Sequence, residues 1–167
     1  MGFKKTSDVL TISSSVTESA ANTFTQQQVN LPLDPLNNEV FVVLAIDIDV
    51  STPSSVAGTV TSVNGSLSLT SQTAVLEISN PRCLARGMKA IIQNAGSIDG
   101  VPFNQVDGDT PSAQLDYIGI IATDDFFLQV EGNNNTTTKA MHTRIWGFRA
   151  RADAATYASL VQSELLS

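Results

Sequence analysis

The chain has 167 residues, 42% of them hydrophobic and only 15% charged, enough for one domain with a sizeable core. Nine basic residues against sixteen acidic ones leave a net charge of −7, which argues against sequence-independent binding to a phosphate backbone. One cysteine, Cys83, excludes an internal disulfide framework, and one histidine, His142, excludes a His-rich metal site.

Residues 1–38 are polar, rich in Ser, Thr, Asn and Gln, and read as an N-terminal arm. Within it Val9–Val16 predicts a strand and Phe24–Leu33 a weaker one; Pro32, Pro35, Asn37 and Asn38 then break any regular element. No charged-then-apolar leader is expected at the start, and no apolar run reaches the roughly 18 residues of a membrane-spanning helix.

The domain proper is expected over residues 39–151. In Glu39–Ser51, Val40, Val42, Leu44, Ile46, Ile48 and Val50 share one parity, with Phe41, Val43, Ala45, Asp47 and Asp49 on the other. This predicts a long strand with one face in the core throughout and the other buried at its start and polar at its end. Gly58–Val63 and Ser66–Thr70 flank Asn64-Gly65, the dipeptide that favours a type I′ turn, and together predict a hairpin. Thr73–Ser79, Met88–Gln93, Tyr117–Ala122 and Phe126–Val130 predict further strands, with a long surface excursion over Asn94–Asp116. A polar loop at Gly132–Thr138 precedes a last long strand, Lys139–Arg151. Short strands with such punctuation indicate an all-β protein, an antiparallel β-sandwich for which a jelly roll is the expected form.

Residues 152–167 read as a short C-terminal helix. Asp153 is a good N-cap for Ala154–Leu166, and Ala154, Ala158, Val161 and Leu165 form one stripe, widened by Tyr157 and Leu160. That stripe has to pack on the sandwich's own end or on a neighbouring subunit.

Chemistry is sparsely advertised. Asp47 and Asp49 lie two apart on a strand, about 7 Å from each other on one face. They are weak candidates for calcium, with loop carbonyls completing the shell, or for an acid/base pair. The polar end of a half-exposed strand is the plainer reading. Asp99, Asp107, Asp109 and Asp116 invite calcium as well, but Asp107-Gly108-Asp109-Thr110-Pro111 departs from the calcium-loop pattern. Arg82 and Arg86 near Cys83 would lower a thiol pKa, with His142 as base, yet no flanking motif supports a nucleophile. No phosphate loop, nucleophile elbow or metalloprotease motif is present, so neither an enzyme nor a cofactor is expected. Seven of the nine basic residues fall in two clusters, Arg82, Arg86 and Lys89, and Lys139, Arg144, Arg149 and Arg151. Such segregation suits pairing between copies of the chain, or internal neutralisation of Asp124, Asp125 and Glu131.

A polar arm, a sandwich of about eight short strands with long loops, few charges and a docking C-terminal segment resemble a single jelly-roll viral capsid protein. The resemblance rests on architecture and composition, and no catalytic or ligand residue carries over. It implies a structural, homo-oligomeric protein of the virion, a major or minor component with other virion proteins as further partners. Arg144, Arg149 and Arg151 would then serve pairing, and Val161 and Leu165 docking. In one respect the chain departs from that family, since residues 1–38 carry only Lys4 and Lys5 as basic residues, against Asp8, Glu18 and Asp34. Genome contact is then slight or belongs to another component. The alternative is a lectin-like, carbohydrate-binding sandwich whose Asp47/Asp49 pair and loops form a calcium-assisted sugar site, although only 6% of residues are aromatic.

Overall fold

The computed structural model describes residues 2–93, 100–107 and 115–166, with backbone alone at 104–107 and 166. Ten strands, one short 3-10 turn at Pro35–Asn37, where no regular element was expected, and one α-helix follow in chain order among them. They are β1 (Lys4–Lys5), β2 (Leu10–Thr17), β3 (Thr25–Asn30), β4 (Glu39–Val50), β5 (Thr61–Ser68) and β6 (Cys83–Gln93). After these come β7 (Gly100–Asp107), β8 (Gly119–Ile121), β9 (Asp125–Asn133), β10 (Ala140–Arg151) and α1 (Ala154–Leu166). One sheet runs β2-β10-β4-β8, with β1 continuing beside β10; the other runs β3-β9-β5-β6-β7. Every pairing is antiparallel. The two sheets form a sandwich, and the strand order is consistent with a jelly roll. No helix of the described residues is long and apolar enough to cross a membrane.

The core between the sheets is built from Phe41, Val43, Ile46, Ile48 and Val50 of β4, Val63 and Leu67 of β5, Phe126, Leu128 and Val130 of β9, and Met141 and Ile145 of β10. Both predicted long strands are present, and β4, the one marked by alternation, begins at Glu39. The single-face expectation for β4 is corrected. Its register against β10 shifts between Trp146 and Gly147, which leaves Leu44 as an extra residue. Beyond that bulge the parity reverses. Phe41 and Val43 enter the main core, while Val40 and Val42 turn to a second cluster with Ala150 and Ala152 on the sheet's outer side.

Four further expectations are corrected. Residues 1–38 do not stand off as an arm, since β1 and β2 pair with β10 and β3 pairs with β9. Asn64-Gly65 is no turn but the middle of β5, paired on both sides through Met88 and Gly87 and through Glu131 and Val130. Gly65 lacks the positive φ that a type I′ turn requires. Its role is close approach, because a Cβ there would lie 3.1 Å from Met141 Cγ and Val50 Cγ1 of the facing sheet.

Thr73–Ser79 is not a strand. Side-chain hydrogen bonds hold residues around it against the second sheet: Leu76 N donates to Ser66 Oγ at 3.1 Å and Gln72 N to Gln26 Oε1 at 2.8 Å. Fully buried Gln129 completes this network, accepting from Ser66 Oγ and donating to Ser68 Oγ, each at 2.7 Å. Lastly, the excursion over Asn94–Asp116 contains β7, which pairs with β6 from Gly100 to Asp107.

The helix starts where expected. Asp153 Oδ1 accepts Thr156 N at 2.8 Å, and that contact holds the Asp153 carboxyl below the usual carboxylate range. The packed stripe is rotated from the predicted one. Tyr157, Leu160 and Val161 cover Val40, Val42, Phe148 and Ala150, whereas Ala154, Ala158 and Leu165 are exposed. Glu164 decides the rotation: its carboxylate accepts Ala122 N at 2.6 Å, Thr123 N at 3.0 Å and Thr123 Oγ1 at 2.8 Å, satisfying donors just past the end of β8.

Burial pushes the Glu164 carboxyl up from its ordinary range, against the opposing pull of the hydrogen bonds from Ala122 and Thr123. A carboxyl whose pKa is raised by folding binds its proton more tightly folded than unfolded. Its contribution is therefore full below about pH 4.5 and is lost as pH rises through the folded value. Thermal melts of the wild type and Glu164→Gln between about pH 4 and 7 check this. The wild type's advantage over the variant should shrink with rising pH, and an advantage that grows would contradict the assignment.

Candidate functional site

Helix α1 covers half of the first sheet's outer face; the other half is open and polar. Three antiparallel strands place its side chains in rows. Arg144 of β10 stands between Ser13 of β2 and Asp47 of β4, and His142 between Ser15 and Asp49. Inward neighbours such as Ile46, Ile48 and Ile145 are buried, so the period of two leaves all six polar residues exposed. They line a depression of about 510 Å³.

Its electrostatics are mixed and nearly balanced. Asp49 pairs with Lys89 Nζ at 2.9 Å, and Lys89 reaches it from β6. Beyond Phe41–Val43, β4 has no partner on its β8 side among the described residues, and Asp47 and Asp49 lie along this free stretch. The Arg144 guanidinium carbon sits 6.0 Å from the centre of the Trp146 ring, the next outward residue on β10. Among the described residues, the side chains of Ser13, Ser15, Asp47, His142 and Arg144 make no hydrogen bond or ion pair within the protein.

The residues singled out from sequence are dispersed. Of the three arginines, Arg144 alone reaches this face. Arg149 Nη1 donates to Glu39 Oε1 at 3.0 Å and to the Pro32 carbonyl at 2.7 Å, and Arg151 Nη2 donates to Asn37 Oδ1 at 3.0 Å. Their partners are thus internal, but they are not Asp124, Asp125 or Glu131; Asp125 instead accepts Gln28 Nε2 at 2.6 Å. Val161 packs on the sandwich of its own chain, and Leu165 is 61% exposed. Cys83 and His142 belong to different sheets, and Cys83 Sγ donates to the Ala85 carbonyl at 3.3 Å. Among the described residues, no three His, Cys, Asp or Glu side chains converge as metal ligands around Asp47 and Asp49 or elsewhere. Asp116 is exposed, while Asp99 and Asp109 lie outside the described residues, as does the Asp107 side chain.

The grouping of Ser13, Ser15, Asp47, Asp49, His142 and Arg144 was not visible in sequence, because it depends on which strands flank β10. In the sequence, alternation sets Asp47 and Asp49 at the polar end of their strand and assigns no face to Ser13, Ser15, His142 or Arg144.

Comparisons with protein-family models, with curated proteins and with solved structures find no match to this chain.

Proposed function

We propose that this chain is a structural protein that associates with copies of itself, the β-sandwich shell component of a virus or phage particle. One observation carries the reading. Strand β7 forms an edge of the second sheet, hydrogen-bonded among the described residues to β6 alone, and it bears exposed Val101 (58%) and Phe103 (51%). Ile92, 45% exposed, stands opposite Val101 and extends the apolar strip onto β6. An edge strand presents unpaired main-chain donors and acceptors, and soluble proteins commonly blunt such edges with charge or proline. Here Pro102 is the only such device between the two exposed apolar side chains, so the strip favours a partner strand or a facing apolar patch. Leu165 and Arg144, both outward, are the remaining candidates for secondary contacts.

Light scattering and electron microscopy of the purified chain test this reading. Large closed species are expected from the wild type. The double variant Val101→Lys with Phe103→Lys should shift to monomer at an unchanged melting temperature. Loss of an aromatic anchor alone is worth about 2 kcal/mol, roughly 30-fold in association. A wild-type chain that stays monomeric at high concentration, or a variant that assembles as well as the wild type, would refute the proposal.

A further inference from the structure

Independently of self-association, we propose that the depression on the first sheet's outer face is a binding site for a neutral saccharide, formed by Ser13, Ser15, Asp47, His142 and Arg144 with Trp146 at its border.

The chemistry of the face selects that ligand class. Arg144 supplies only donors, the Asp47 carboxyl group acceptors, and Ser13 and Ser15 both, with the His142 ring beside them. None of these side chains is satisfied within the described protein, so their hydrogen-bonding capacity is turned outward. Arg144 balances Asp47 across the strands, and Lys89 balances Asp49. An anionic ligand would meet Asp47 and a cationic one Arg144, so neither sign is favoured overall. A sugar hydroxyl donates and accepts at once, and neighbouring hydroxyls match a carboxylate beside a guanidinium. The volume, about 510 Å³, falls within the roughly 300–1,000 Å³ of small-molecule sites. Half-exposed Trp146 adds an apolar ring at the border, and its contact with Arg144 steadies the guanidinium. This site differs from a calcium-assisted one, because the side chains themselves supply the polar contacts.

Trp146 is the only tryptophan, so intrinsic fluorescence reports on this face without a label. The full chain would be titrated with maltotriose, cellotriose and mannotriose, with and without EDTA. At least one is expected to give a saturable change in Trp146 emission, indifferent to EDTA and weakened about tenfold or more by Arg144→Ala and by Asp47→Ala. Circular dichroism would confirm that both variants are folded. No saturable change with any of the three up to about 20 mM would overturn the proposal. So would binding that EDTA abolishes, which points to calcium, or binding that both variants leave intact, which places the sugar elsewhere. Self-assembly is read separately by light scattering, so either proposal can fail alone.

Discussion

Gly147→Ala is expected to cost about 3 kcal/mol or more of folding stability, more than alanine at any other glycine among the described residues. A Cβ at Gly147 would lie 2.5 Å from Phe41 Cε1, 2.8 Å from Phe41 Cζ and closer still to the Val42 carbonyl oxygen. The last contact is decisive. A carbonyl of the β4 backbone cannot rotate aside as a side chain does, so the methyl has to push β4 away from β10. Overpacking of a core costs about 1–3 kcal/mol when side chains can yield, and backbone displacement places this case at the top of that range or above. The melting temperature should fall by roughly 6–12 °C for a chain of this size. Gly65→Ala is a useful contrast, since the flexible Met141 side chain is among the atoms in its way and can move. Scanning calorimetry of both variants checks the order; a Gly147→Ala midpoint within about 1 °C of wild type would show that the bulge is not tightly packed.

Glu18→Ala is expected to be nearly as damaging, at about 3 kcal/mol or more, for an electrostatic reason. Glu18 is buried at 4% exposure, just past the end of β2, where Oε1 accepts Gly132 N at 2.6 Å and Oε2 accepts Lys139 N at 2.8 Å. One carboxylate thus closes the loop between β9 and β10. Hydrogen bonds to a charged group contribute about 1.5–3 kcal/mol each, and alanine would leave both backbone donors without an acceptor. Glu18→Gln retains one carbonyl acceptor but turns an NH2 group toward a donor, so it should recover only part of the loss. Hydrogen exchange should show the Gly132 and Lys139 amides losing protection before the β9 core does. Equal protection in wild type and Glu18→Ala would remove Glu18 from this role.

Both effects concern residues that sequence patterning passes over. Alternation of aliphatic residues marks β4, because a period of two with β-branched side chains has few other solutions. Asp153 marked the start of α1, since a cap acts within three residues. By contrast, Glu18 reads as one more polar residue in a polar segment, and the amide of Lys139 that it binds lies 121 residues away. Glu164 was passed over because apolar periodicity discounts a carboxylate, and that rotated the predicted helix stripe toward Ala158 and Leu165. Asn64-Gly65 misled for the opposite reason. The dipeptide has a strong local preference, but pairing on both sides of β5 and contact with Met141 and Val50 outweigh it.

The division follows the range of the forces involved. Whatever depends on near neighbours in the chain was determined by the sequence itself: an antiparallel all-β composition, the two long strands, the capped helix and the polar end of β4 at Asp47 and Asp49. Whatever depends on strand order was decided only in the tertiary structure. The incorporation of residues 4–30 into both sheets, the bulge opposite Gly147, the burial of Glu18 and Glu164 and the exposed strip on β7 all belong there. So does the joining of Ser13, Asp47 and Arg144 into one row. Strand order places residues more than a hundred positions apart side by side, and periodicity within one strand carries no information about its neighbours.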